Sequence, residues 1–454
     1  MVQAVGHAPA REGRASCPSA RLAAKTEPQA ARRTTLEGLP DHALAAAGRP
    51  GGAARHGWWR LLGGLLACLL VAACSSPHGR QGQGQTATSR QPSAGPAHRD
   101  YWPTAGWRTA APGDQGMDPA VLDDLDTQVP DRYPQVRSLL VVRHGYLVYE
   151  RYWHGLDAAD GHDVRSVTKS VTSALVGIAL AEGRLQSLDQ TVAQLLAAHL
   201  PKHADPRLGA VTVRQLLTMT GGLAGDERGG GDERLSKRMA QSRDWVAHIL
   251  GRRLATKPGT TFAYSNASSH LLSAIVADTT GQSTLAFARA RLFGPLGIHS
   301  DNAFEPAVRT WPPPPAQERA YQQAAVAWPR DPQGYHFGFG ELKLPARDLA
   351  KFGYLYLNGG RWDGTQLIPA DYVRASTQPH SSLPGLGPEG GYGYQWWTSS
   401  VDLHDSFAAV GFGGQRILVI PDLDLVVVIT SDAQQQREDA QDLVGQTIIP
   451  AVTH

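Results

Sequence analysis

The sequence predicts an α/β (α+β) fold, an antiparallel sheet flanked by helices with an all-helical subdomain inserted into it. Three observations carry this prediction. Ser138 to Tyr152 reads as two β-rich runs joined at His144-Gly145 as a hairpin. Apolar residues at helical spacing dominate the middle of the chain. After Gly391 three β-type runs return, YGYQWW, FAAVGFGGQRILVIP and LDLVVVITSD. The sheet is therefore expected from residues 101–165 and 345–454, and the helical insert from 166–344.

The first hundred residues differ from the rest. Residues 1–56 are rich in Ala, Arg, Gly and Pro without a sustained apolar period. Trp58 to Ala73, beside Arg55 and Arg60, carries LLGGLLACLLVAA, a secretory signal core too short to span a bilayer comfortably. It stops at Val71-Ala72-Ala73-Cys74, which resembles the lipobox of bacterial lipoproteins. The sequence thus predicts a leader and signal peptide at 1–73, then a lipidated Cys74 and a flexible tether rich in Gly, Gln, Ser and Pro at 74–100. A plain signal peptide or a short membrane anchor is the simpler alternative. The expected location is the cell envelope, periplasmic or on the outer face of the cytoplasmic membrane, with the membrane as a partner through the Cys74 lipid.

Of 43 Lys/Arg and 41 Asp/Glu, nine and four precede Ser75, leaving 34 basic and 37 acidic residues, a net of −3. The basic balance belongs to the leader, so no nucleic-acid partner is expected. Cys17, Cys68 and Cys74 are the three cysteines, so the globular part from about Tyr101 to His454 has no possible disulfide and must rely on its core. Roughly 350 residues suffice for a large one.

Along this body, Met117 to Val129 has helical spacing after the breaker Gly116 and leads into the hairpin. SVTSALVGIALAEGRL, from Ser166, carries apolar residues at i, i+3 and i+4 and ends near Gly183. Further helical patterns lie at Val213 to Leu217, Trp245 to Leu250, His270 to Thr279, Leu285 to Leu292 and Asp348 to Leu357, and Asp439 to Ile449 closes the chain.

Ser166-Val167-Thr168-Lys169 spells S-x-x-K at the start of the buried helix, and Tyr264-Ser265-Asn266 follows. A serine hydroxyl is a poor nucleophile until a base takes its proton, and a lysine one helical turn later lies on the same face within reach. The pattern reads as an acyl-transfer site with Ser166 as nucleophile, near a helix N-terminus that favours negative charge.

Several segments in order make the chain resemble the serine β-lactamase and penicillin-binding-protein superfamily. They are Ser166 to Ser170, Leu216-Leu217-Thr218-Met219-Thr220-Gly221-Gly222-Leu223, Pro258-Gly259 before Phe262 to Asn266, and Gly411-Phe412-Gly413-Gly414-Gln415. The resemblance covers 115–454 and points to the branch with class C β-lactamases, family-eight carboxylesterases and aminohexanoate-oligomer hydrolases. It implies a β-lactamase/transpeptidase-like fold and a serine hydrolase needing no cofactor. It also implies that Tyr264 shuttles the proton with Lys169, that Asn266 orients Lys169 and the acyl group, and that the backbone N–H groups of Ser166 and Phe412 form the oxyanion hole. Ala409, Gly411 and Gly413 fall at substrate-binding positions. The family's third motif usually begins with Lys or His, but here it is Ala409-Val410-Gly411. Without that cation, β-lactamase or D-Ala-D-Ala peptidase activity loses its carboxylate partner, and small ester or amide substrates become the leading expectation. A non-catalytic penicillin-binding-like envelope protein is the remaining alternative, and it has no use for all four of Ser166, Lys169, Tyr264 and Asn266.

His162, four residues before Ser166, is a candidate base that a surface loop also explains, and the explanation as a loop is favoured. His270, His336 and His404 have no ligand spacing, so no metal site is expected. Asn266-Ala267-Ser268 is formally a glycosylation sequon, but the Y-x-N triplet claims Asn266 first. Of Trp396 and Trp397, adjacent in a strand, at most one lines the cleft. Arg416, or an arginine of the helical insert, is the candidate to replace the missing charge.

Overall fold

The structure, a computed structural model, describes residues 99–225, 238–310, 312–383, 390–433 and 440–453. The predicted leader, Cys74 and nearly all of the tether lie outside the described residues, as does Asp439.

The predicted hairpin forms from β1 (Val136–Arg143) and β2 (Tyr146–Tyr152). His144 and Gly145 turn it with φ of 52° and 85°, the left-handed pair that matches the twist of the flanking strands. Before it, the expected single helix is two, α1 (Pro119–Asp123) and α2 (Leu125–Arg132), with the Asp118 side chain accepting from the Ala120 N–H at the start.

A short ladder pairs β3 (Gly161–Asp163) with β4 (Lys343–Pro345), and a second pairs β5 (Arg361–Trp362) with β6 (Thr365–Gln366). The remaining strands are β7 (Ser381–Ser382), β8 (Gly391–Tyr392), β9 (Trp397–Val401), β10 (His404–Gly411), β11 (Gln415–Ile420) and β12 (Leu425–Ser431). They join the hairpin in one antiparallel sheet ordered β2-β1-β12-β11-β10-β9-β8-β7. YGYQWW is not one strand: β8 ends at Tyr392, Gln395 takes φ of 62°, and β9 begins at Trp397.

Alternation along the central strands builds two cores. Leu139, Val141, Leu418, Val427 and Ile429 face one side, with α1, α2 and the segment around Leu443 to Ile449. Leu140, Val142, Ile417, Val426 and Val428 face the other, with the helices. Those helices are α3 (Thr168–Ala181), α4 (Val192–Leu195), α5 (Val213–Leu217), α6 (Trp245–Leu250), α7 (Asn266–Thr280), α8 (Thr284–Ala288), α10 (Ala346–Leu357) and α11 (Ala370–Ser376), while α9 (Pro315–Gln323) lies outside this core. α7 starts four residues before the apolar pattern suggests, because the Ser265 side chain caps it by accepting from the Ser268 N–H. The Leu285 to Leu292 pattern divides into α8 and a wider turn at Arg289–Phe293.

A strap of aromatic residues closes one end of the sheet. Arg99 donates to Asp424 at 2.7 and 2.5 Å and to Asn358 at 2.8 Å. Trp102 packs against Tyr354 and Trp362, and Trp107 Nε1 donates to the Arg347 carbonyl at 3.0 Å. Among the described residues, no helix is long and apolar enough to cross a membrane.

Candidate active site

Ser166 lies in a tight turn, Arg165–Val167, that leads directly into α3. Arg165 takes a left-handed φ of 49°, uncommon for a residue with a side chain. The turn is held by Thr168, whose hydroxyl donates to the Arg165 carbonyl at 2.6 Å and accepts from the Leu342 N–H at 3.3 Å. One turn into the helix, Lys169 is 1% exposed. Its Nζ donates to Ser166 Oγ at 2.9 Å, to Asn266 Oδ1 at 2.7 Å and to the Phe339 carbonyl at 3.0 Å. Three acceptors match the three donors of an ammonium, which is what a buried lysine requires.

Tyr264 and Asn266 reach the lysine from the start of α7. Lys169 Nζ sits 4.7 Å from the centre of the Tyr264 ring. The same ring stacks on Trp397 at 5.7 Å and 26° and meets Tyr392 edge-on at 6.1 Å. Ser166, Tyr264, Asn266, Phe339 and Trp397 are all partly exposed around the buried lysine, so solvent reaches the site. Of the two tryptophans, Trp397 is partly exposed against Tyr264 and Trp396 is fully buried against Phe352, Tyr356 and Phe407.

The third motif ends β10 beside the nucleophile turn. A Cβ on Gly411 would lie 2.4 Å from the Val164 carbonyl oxygen and 3.1 Å from Arg165 Cβ, so only glycine lets the strand come this close. Phe412 follows, 52% exposed. Gly413, at φ of 78°, turns the chain back into β11. Ala409 is buried, paired with Ile417 on the helix-facing side of the sheet.

Arg416, one expected source of replacement charge, does not fit. Arg416 pairs with Val410, one step out of phase with Ala409 and Ile417, so it belongs to the opposite face of the sheet. Arg165 is held by Asp163 at 3.2 Å and Glu341 at 3.5 Å. Burial pushes the carboxyls of Asp163 and Glu341 above their ordinary values, and for Glu341 the neighbouring Asp163 adds to the effect.

His162 is not a surface loop residue. It sits in β3 opposite Leu344, 6% exposed, and burial pushes its pKa down to about 4. His270, His336 and His404 each pair with one carboxylate, Asp331 at 3.1 Å, Glu305 at 3.1 Å and Asp422 at 2.6 Å. Among the described residues no group of three or more His, Cys, Asp or Glu is placed to hold a metal ion.

Sequence reasoning missed the Phe339 carbonyl. The signal was present in Gly338-Phe339-Gly340, since glycines flanking a lone aromatic residue mark a backbone that must come close to something. Here it is α7: a Cβ on Gly338 would lie 2.1 Å from the Ser269 carbonyl oxygen, while on the α3 side Thr172 Oγ1 donates to the Gly338 carbonyl at 3.0 Å.

A model of the Beta-lactamase family matches residues 134–447. The chain belongs to the Beta-lactamase family. Within it, the chain is 24% identical over 334 residues to a 6-aminohexanoate-dimer hydrolase of Paenarthrobacter ureafaciens, covering 68% of this chain and 76% of that one. It is 30% identical over 222 residues to penicillin-binding protein 4 of Amycolatopsis lactamdurans, covering 45% and 53%. In three dimensions it is similar to a penicillin-binding protein of Bacillus halodurans, with TM-score 0.54 at 20% identity over 72% and 98% of the two chains. These likenesses make the chain a β-lactamase-fold member of a hydrolase family, with the mixed antiparallel sheet and helices expected from the sequence.

Proposed function

We propose that this Beta-lactamase family member is a serine hydrolase that cleaves ester or amide bonds of small, uncharged acyl substrates through an acyl-enzyme on Ser166. The observation that carries the reading is Lys169 Nζ held between Ser166 Oγ and Asn266 Oδ1. With the lysine as free amine, the 2.9 Å line to Ser166 is a proton path: the serine oxygen bonds to the carbonyl carbon and its proton passes to Nζ. Tyr264, beside the same nitrogen, is the route by which that proton reaches the departing alcohol or amine. Water then repeats the sequence in reverse and releases the acid. The N–H groups of Ser166 and Phe412 stabilise the oxyanion, consistent with the close approach of Gly411 to Val164.

The substrate is read from Ala409. A buried methyl stands where a cation would bind a carboxylate, which disfavours penicillins and D-Ala-D-Ala peptides. The name 6-aminohexanoate-dimer hydrolase, carried by one relative, also belongs to a hydrolase that is not named for a β-lactam. We further propose export and lipid attachment at Cys74, on the sequence alone.

Titration with a fluorophosphonate probe, read by intact mass, tests the reaction. One adduct per chain and p-nitrophenyl ester turnover are expected, both abolished in Ser166→Ala. Turnover in that variant within tenfold of wild type would refute the assignment.

A further inference from the structure

Gln395 is a residue with a side chain in a conformation that glycine would adopt more easily, at φ of 62°, and it is 2% exposed. Its hydrogen bonds account for that choice. The carbonyl accepts from Ser170 Oγ at 2.7 Å, next to Lys169 in α3. The side-chain Oε1 accepts from Ser269 Oγ at 2.7 Å, three residues after Asn266 in α7. Nε2 donates to the carbonyls of Leu216 and Leu217 at 3.1 and 2.9 Å, and the backbone N–H adds a bond to Leu217 at 3.1 Å. Carbonyls only accept, so this pattern fixes which way the amide points.

The two leucines end α5, where carbonyls lack helical partners. The chain then turns at Met219, φ 58°, and Met219 grips both neighbours of Tyr264: its carbonyl accepts from the Ala263 N–H at 2.8 Å and its sulfur from the Ser265 N–H at 3.3 Å. On the other side of Gln395, Trp397 stacks on the Tyr264 ring. One residue therefore touches the supports of Lys169 through its backbone carbonyl, and those of Tyr264 and Asn266 through its side chain, and these belong to three separate stretches of sequence.

We propose that Gln395 is a positioning residue that sets the register of the Ser166–Lys169 helix against the Tyr264–Asn266 segment. The inference rests on the acyl-enzyme reading of the site. Losing the amide leaves each helix folded but frees them to slide, and a misplacement of about 1 Å costs up to about a hundredfold in rate.

The test is the rate of Ser166 acylation by a fluorophosphonate, with ester KM and kcat measured alongside. Gln395→Met is expected to lower acylation and kcat by roughly ten- to hundredfold while KM changes little. Gln395→Glu places a carboxylate against two carbonyls, and a protonated Glu restores one donor. Its activity is expected to fall as pH rises, on a limb that wild type lacks. In an Asn266→Ala background, Gln395→Met is expected to cost less than about threefold more, because the register it protects no longer matters; additive losses would mean a merely structural role. Should Gln395→Met fail to fold, Ser269→Ala removes one of the same bonds and is expected to slow acylation. Acylation within about threefold of wild type in folded Gln395→Met, or unchanged acylation in Ser269→Ala, overturns the proposal while leaving the function standing. A wild-type protein that takes no label overturns both.

Discussion

Lys169 Nζ and Asn266 Oδ1 meet at 2.7 Å across 97 residues of sequence, and the pair joins the first helix of the site to the first turn of another. An amide oxygen orients the nitrogen without adding charge. A carboxylate in its place would bind the ammonium too well and keep the proton from leaving. Asn266→Asp is therefore expected to unfold at an equal or higher temperature than wild type yet acylate at least about tenfold more slowly near neutral pH, the lower range for loss of a general base. Faster labelling of this variant in stopped-flow measurements would remove Lys169 from the base role.

Ala409 sets the second expectation. A penicillin carboxylate entering the cleft finds no cation from β10, and an unpaired buried charge costs several kcal/mol. kcat/KM for a neutral acetyl or butyryl ester should exceed that for benzylpenicillin by at least about a hundredfold, roughly 2.7 kcal/mol. Ala409→Lys should narrow this gap from the penicillin side and also lower the melting temperature, because the methyl it replaces is buried in a packed sheet face. Equal turnover of both substrates by wild type would mean that a cation reaches the cleft by another route.

Gly411→Ala asks how tightly β10 must approach the nucleophile turn. The added methyl meets the Val164 carbonyl at 2.4 Å, and neither partner is a flexible side-chain end. The expected cost is about 1–3 kcal/mol of stability, typical of overpacking, with a larger loss in acylation rate because Phe412 moves away from Ser166. Full activity would place the second oxyanion donor elsewhere.

His162 makes stability depend on pH. Its folded pKa of about 4 lies below the ordinary 6.5, so the fold favours the neutral ring. That contribution is complete above pH 6.5 and is lost as pH falls toward 4, amounting to about 2 kcal/mol by pH 5. Chemical denaturation of His162→Leu should show a correspondingly flatter profile between pH 7.5 and 5. Parallel profiles for the two proteins would assign the pH dependence to other groups.

Much of the site was legible because it is local or periodic. Ser166 and Lys169 face each other through helical spacing alone, and the His144-Gly145 hairpin announces itself by its turn. Long-range closure was less readable. Nothing in the spacing around His162 shows that residues 343–345 return to bury it, and YGYQWW reads as a strand until Gln395 is seen bonding to three helices. Arg416 was misjudged for a subtler reason: one residue of register decides which face of the sheet a side chain takes.

The strap at Arg99 has a practical meaning. Asp424, which it grips, adjoins Ile420 at one end of β11, whereas Gln415 and the turn at Gly411 lie at the other, about 20 Å away for six residues of strand. Handle and mouth are at opposite ends of that strand. A protein held by whatever precedes Arg99, on a bead, a fusion partner or a surface, is therefore gripped a strand's length from the nucleophile turn rather than beside it.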